Sequence, residues 1–543
     1  METTTAKRPQ RRLSKETKMK IMPTKLIPID WWMQRQPYST MDDSDEYYAQ
    51  LSSAIYNVLN AVIRPEVWID DEELTEVSMA MAQWFEDIMA QTGIWNMFTS
   101  ECKRRYNRYV PFYDDDSDYC QAGINLNDVR FLLWHLIEQI SVNHFFAPHE
   151  PHVMKAAQLL FQLFNIEKEK APVNSSWEKA LLHPTFGPDD FDAYYRFAMW
   201  FNSMCYLNYG NRKRFQADMS KMMDERPEQR RNYCTIAIMA GSENLFDEKN
   251  MMLGLTTPEQ LALLWKDQPN AWLYKSINGI RHGVFLYHDE DDNHIFLNDM
   301  ADSNGALLNI RKDPKKVQTM NWKKGETQVI AMLTKYGDSW YANGFFVPQQ
   351  GLTMKADKPN LLIAKEMDAR LNLSCKSAYK QFETQAQGHR YLYFDNKDKA
   401  QQCYNKMFPG AETDQLFRKF EDNVPIMMAG GEDFGVQIYG SEVESLKAPD
   451  NPYYKKSEGQ YSVRYLCQPH FAPYKLVCQM AADGLLDDAE FEMYGNLYLT
   501  REEVKANRQF LIDYFHSDSP YSHHKPTSRW AELFIMGDDE DSK

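Results

Sequence analysis

Three histidines, His144, His149 and His152, fall close together, with Glu150 between the last two. Three imidazoles and a carboxylate are donors that zinc accepts. Pro148 and Pro151 interrupt the stretch, however, and H-E-P-H lacks the i, i+4 spacing that sets two histidines on one helical turn. The residues therefore read as a polar loop between helices, and no metal ligand is assigned.

Two acidic runs invite a calcium reading. Asp114, Asp116 and Asp118 match positions 1, 3 and 5 of a calcium loop, but Tyr119 stands where the sharp turn needs glycine and Asn125 where a bidentate glutamate is needed. Asp289, Asp291 and Asn293 fail in the same way at His294 and Met300. Both read as solvated turns.

Phosphate and nucleophile chemistry find no better footing. Gly430-Gly431 with Gly435 lacks the G-x-G-x-x-G spacing that brings backbone amides to a pyrophosphate, so no cofactor is expected. Asp433-Phe434-Gly435 has none of the companion motifs of a kinase. Ser-x-x-Lys recurs at Ser100/Lys103, Ser176/Lys179 and Ser377/Lys380 without the segments that give it meaning. Cys467 and His470 stand three apart in a proline-containing loop, but activation needs contact and a lowered thiol pKa. No catalytic residue is assigned.

A binding surface is the remaining candidate. Tyr287, Trp340, Tyr341, Phe345 and Phe346 alternate with polar residues, so some face outward unless a helical neighbour covers them. They are the expected binding residues, with another protein as the expected partner. The reading that follows is a non-enzymatic protein-binding or regulatory role. One rival is a hydrolase whose site joins distant residues. Another is a nucleic-acid-associated protein using Lys7, Arg8, Arg11, Arg12, Lys15, Lys18 and Lys20, which face only Glu16. The net charge of −16 opposes that second rival at long range.

These residues must be positioned by more than one unit, since 543 residues exceed a single compact core. Apolar residues at 43% and aromatics at 13% supply material for packed cores rather than a disordered scaffold. The fold class expected is α+β: a helical N-terminal unit over 26–275, a small SH3-like β-barrel over 276–350 and a mixed unit over 351–516. A disordered basic arm (1–25) and a polar acidic tail (517–543) flank them.

The barrel rests on a change of period from helical to alternating, with strands expected at 283–288, 294–298, 306–310, 327–336 and 339–346. Gly337-Asp338 fits a type II′ hairpin. Asp70 or Asp71 should cap one helix, and Asn127 or Asp128 should cap an apolar helix over 129–142. No apolar run is long enough to cross a membrane. Eight scattered cysteines without a C-x-x-C pair suggest reduced thiols and a cytoplasmic setting.

Short aromatic motifs recur in a set order. They include Ile29-Asp-Trp31 with Pro37-Tyr38, Gly93-Ile-Trp-Asn-Met-Phe98, Val110-Pro-Phe-Tyr-Asp114 and Asp128-Val-Arg-Phe-Leu-Leu-Trp134. Ile295-Phe-Leu297, Asp450-Asn-Pro-Tyr-Tyr454 and Asn507-Arg-Gln-Phe-Leu-Ile-Asp-Tyr-Phe515 continue the series. In these the chain resembles an uncharacterised Bacteroidetes family, domain of unknown function 3843. The resemblance implies an intracellular bacterial protein and carries over no activity, cofactor or site residue.

Overall fold

The computed structural model describes residues 25–516, apart from 115–117, 141–144, 183, 185, most of 213–248, 278–279, 301–306, 313–321, 350–363, 411–412, 470 and 494–495. Residues 1–24 of the basic arm, the tail from 517, and the candidates Asp116, His144 and His470 lie outside the described residues.

Helices open the chain: α1 (Ile29–Met33), α2 (Asp45–Val62), α3 (Asp71–Ala90), α4 (Ile94–Tyr106), α5 (Leu126–Ile140), α6 (Pro151–Glu167), α7 (Ser175–Leu182) and α8 (Phe191–Met204). After them come α9 (Thr257–Leu264) and α10 (Ala271–Lys275). Asp70 begins α3 with a capping box: its carboxylate accepts from Glu73 N at 2.8 Å, and Glu73 accepts from Asp70 N at 3.3 Å. Buried Asp87, near the other end of α3, accepts from the amides of Ile94 and Trp95 at 3.2 and 2.8 Å, which fixes the start of α4. The apolar helix α5 starts at Leu126, earlier than expected. Asn127 and Asp128 therefore sit inside its first turn instead of capping it, and Asn125 reaches Asp128 at 2.8 Å.

The alternating segment forms β1 (Ile280–Glu290), β2 (His294–Asp299), β3 (Leu307–Arg311), β4 (Gln328–Tyr336) and β5 (Ser339–Gln349). They close into a barrel of order β1-β2-β3-β5-β4, with β4 returning to β1 and β3 parallel to β5. Along β2, Ile295 and Leu297 point inward while His294, Phe296 and Asn298 are half-buried, the alternation a barrel wall requires. Gly337 takes φ +63° in the two-residue β4–β5 turn, as a type II′ turn asks of its first residue. The expected five-stranded unit is present. Its strand order, with β5 set between β3 and β4, is a Greek-key closure of the OB kind and does not by itself establish the SH3-like label.

Beyond the barrel come α11 (Ala364–Ala386), β6 (Tyr391–Phe394), α12 (Lys397–Met407), α13 (Asp414–Arg418), β7 (Ile426–Gly431) and β8 (Gly435–Tyr439). Strands β6, β7 and β8 make an antiparallel sheet packed against α11 and α12, with a core that includes Phe382, Met407 and Met428. The chain ends in α14 (Val463–Cys467), α15 (Tyr474–Ala482), the short pair β9 (Phe491–Met493) and β10 (Asn496–Leu499), α16 (Arg501–Ala506) and α17 (Arg508–His516).

One large core runs from Trp32 through the N-terminal helices to Leu476, Phe510 and Tyr514, so the first and last helices share an interior. The barrel keeps its own core, including Phe285, Ile295 and Leu333. It meets the helices through Tyr336, which packs on Phe191 and Tyr194, and through an Arg311–Asp189 ion pair of 2.8 Å.

Candidate functional site

The seam between α4 and the C-terminal helices holds a cavity of about 450 Å³, a volume suited to a small molecule. Arg105, Tyr106, Cys478, Lys505, Arg508 and Phe510 are among its lining residues. Three cations face it, and among the described residues no carboxylate lines it.

Each cation is held from behind. Glu101 accepts from Arg105 Nε at 2.6 Å. Burial works against the charge on Arg105, but the Glu101 hydrogen bond and charge outweigh it and the pKa rises. Asp487 accepts from Arg508 Nη2 at 2.7 Å and lies 3.8 Å from Lys505 Nζ. Arg508 Nη1 donates to the Ala481 carbonyl at 3.2 Å, while its buried Nε has no acceptor. Lys505 is 61% exposed, so its ammonium can swing toward an occupant.

Tyrosines and an aspartate brace the walls. Asp513 accepts from Tyr106, Tyr474 and Gln509 at 2.8, 2.9 and 2.8 Å. Burial first, then the charge of Asp513, pushes both tyrosines above their usual pKa, so both stay protonated donors. The helix break between α16 and α17 is fixed by Asn507. Asn507 accepts from Phe112 N at 2.8 Å and donates to the Glu503 carbonyl at 2.8 Å, where the helical run divides into two. Cys478 is the one thiol at the wall, and burial raises its pKa, which disfavours a thiolate. The arrangement can bind and neutralise an anion.

The sites considered from sequence lie elsewhere. His149 sits 3.4 Å from Glu503 and His152 sits 4.0 Å from Glu150, and among the described residues no three His, Cys, Asp or Glu side chains are grouped to hold a metal. Asp114 and Asp118 are exposed. Asp291 accepts from the amides of Asn293 and His294 at 2.7 and 2.6 Å, closing the β1–β2 turn; these bonds hold its carboxyl below the usual range. Gly430 lies under a phenyl ring: a Cβ there would stand 2.2 Å from Phe382 Cδ1, so this glycine makes room for α11 on the sheet. Phe434 lies in the β7–β8 turn, and Gly435 opens β8 opposite Gly431. Cys467 is shielded, and burial pushes its thiol well up.

The barrel aromatics do not share one face. Tyr287 is 8% exposed and belongs to the barrel core. Trp340 lies under the Arg281 guanidinium at 5.4 Å, with Arg281 paired to Asp299 at 2.9 Å. Tyr341 stacks on Phe191 and donates to the Pro188 carbonyl at 2.6 Å, so it joins the barrel to the helices. Phe346 stacks on Trp322, and the Phe345 side chain lies outside the described residues.

Sequence reading missed Arg105, Lys505 and Arg508. The only signal was indirect: the aromatic segments 110–114 and 507–515 turn out to be neighbours, through Phe112 and Phe510 with ring centres 5.4 Å apart. A search of curated proteins and one of solved structures each returned no match. A family model described as "Protein of unknown function (DUF3843)" matches residues 25–339 and 346–516, which includes every residue of the seam. The chain belongs to that family.

Proposed function

We propose that this protein is a non-enzymatic binding protein with a regulatory role, and that its ligand is a compact, multiply charged anion seated at the seam. The observation that carries this reading is the trio Arg105, Lys505 and Arg508 around a carboxylate-free cavity in a chain of net charge −16. Fixed guanidinium groups suit phosphate or carboxylate oxygens, and the backing acids hold the groups in place before the ligand arrives. An occupant would touch α4 on one side and α15 to α17 on the other, tying the two ends of the chain together. A ligand that binds the folded state alone stabilises it in proportion to the logarithm of its concentration. The setting we propose is the cytoplasm, supported by seven free cysteines among the described residues.

The test is calorimetric titration of the full chain with pyrophosphate and with citrate, against chloride at equal ionic strength. Saturable binding is expected. Lys505→Gln, on an exposed side chain, should weaken it by about tenfold. Heat no different from chloride for both anions would overturn the reading.

A further inference from the structure

A second cavity, of about 440 Å³, opens between α1, α3 and the short helical stretch from Met204 to Arg212. We propose that it is a separate binding site for a small organic acid, with an acidic head against Arg35 and a flat apolar body against Trp31.

Arg35 is the reason. It lines the cavity, is 2% exposed, and makes no ion pair among the described residues; its Nη2 donates to the Met204 carbonyl at 3.3 Å, while Nε and Nη1 have no acceptor among them. A buried guanidinium keeps its proton, and a buried charge without a partner is costly. Of the three carboxylates at the cavity wall two are already engaged, and the third, Glu72, is exposed to solvent. Glu76 pairs with Arg212 at 3.1 Å and accepts from Tyr209 at 3.1 Å, and Asp71 pairs with Lys25. An anion entering from the cavity adds a counter-charge beside Arg35, although Nε and Nη1 themselves have almost no accessible surface. The Arg35 backbone is itself pinned, its carbonyl accepting from Gln83 and Trp200 at 3.0 and 2.8 Å, so the head group has a fixed anchor.

The apolar half of the ligand follows from the walls. Trp32 is fully buried, yet its neighbour Trp31 is 42% exposed and lines the cavity with Met79 and Met204. An indole face offers a stacking surface, and unbranched thioether side chains give way to an irregular guest. Lys25 Nζ lies 5.8 Å from the Trp31 ring centre, at the same wall. The seam site is lined by Tyr106 and Phe510 rather than by an indole, and the anion proposed there is of a different class, so neither proposal depends on the other.

Calorimetric titration of the full chain with benzoate and with phenyl phosphate tests this, with uncharged benzamide as control. Saturable binding of at least one acid and none of benzamide is expected. Arg35→Leu should abolish it, Arg35→Lys and Trp31→Ala should each weaken it by about tenfold, and Lys505→Gln should leave it unchanged. Absence of saturable binding to the unaltered protein up to about 10 mM would overturn the proposal. So would unchanged affinity in a folded Arg35→Leu protein. Should that variant fail to fold, unchanged affinity in Trp31→Ala, which alters a surface side chain, overturns it instead.

Discussion

The Tyr106 hydroxyl donates to Asp513 Oδ2 at 2.8 Å, joining positions 407 residues apart in the sequence. Tyr474 and Gln509 donate to the other oxygen of the same carboxylate, so one buried aspartate ties α4, α15 and α17 together. Tyr106→Phe removes one donor to a charged acceptor and should cost about 1.5–3 kcal/mol in urea unfolding. Tyr474→Phe should cost a similar amount. Because the two hydroxyls share a carboxylate, the double variant should depart from additivity by about 0.5 kcal/mol or more.

Glu138 should make stability depend on pH. Burial lifts its carboxyl to about 8, against which the Phe146 amide, donating to Oε2 at 3.0 Å, works only in part. Between the unfolded value of 4.5 and about 8 the folded chain holds a proton that the unfolded chain has released. The stability this group contributes is therefore full below the unfolded pKa and is lost as pH rises through the folded one. The slope is at most about 1.4 kcal/mol per pH unit. Glu138→Gln mimics the protonated side chain and keeps an acceptor for Phe146. It should flatten this part of the profile and be more stable than the unaltered chain at pH 8, as chemical denaturation across pH will show. Asp128, raised to about 7 by burial, keeps its own share of the slope in that variant.

The barrel was legible because its information is local. Ile295 and Leu297 alternate with Phe296, and a period of two places the pair on one face and Phe296 on the other without reference to the rest of the chain. Asp70 and Glu73 announce a helix start for the same reason. The helix α11 was harder to see. It covers a three-stranded sheet from one side, so a narrow apolar stripe ending in Phe382 and Ala386 suffices, and most of its visible residues are polar. The seam was not legible at all. Phe112 and Asn507 stand 395 residues apart, and no local pattern marks Arg105 and Arg508 as facing the same space. Arg35 could not be flagged either, since its unusual property is a missing partner, which only the fold reveals.

Gly337 should be the weak point of the barrel's attachment. With φ at +63°, it sits where a Cβ would come 3.0 Å from Leu273 and 3.2 Å from Trp272, both on α10. Gly337→Ala therefore combines a disfavoured backbone with a crowded neighbour, and about 1–3 kcal/mol of destabilisation is expected. The loss should fall on the barrel. Hydrogen exchange of amides in β4 and β5 should quicken, while those in α3 and α5 stay protected.

Phe510 reports on whether the two ends of the chain fold as one. It is 1% exposed and meets Phe112, Phe131, Trp134 and Tyr514 with ring centres 5.4, 5.7, 6.3 and 5.3 Å away. Three of those partners belong to the N-terminal helices and their loop, and the fourth lies one turn along α17. Phe510→Ala leaves a cavity at that junction and should cost about 3–5 kcal/mol. Since the interior is continuous from Trp32 to Tyr514, the cost should appear as a lower temperature for a single helical transition. The barrel, with its separate core, should melt at an unchanged temperature if its transition is resolved. Two helical transitions, with only the later elements affected, would show that the shared interior does not make them one cooperative unit. Lining the seam as well, Phe510 should also take anion binding down with it, so the variant's loss of affinity for pyrophosphate should accompany its loss of stability.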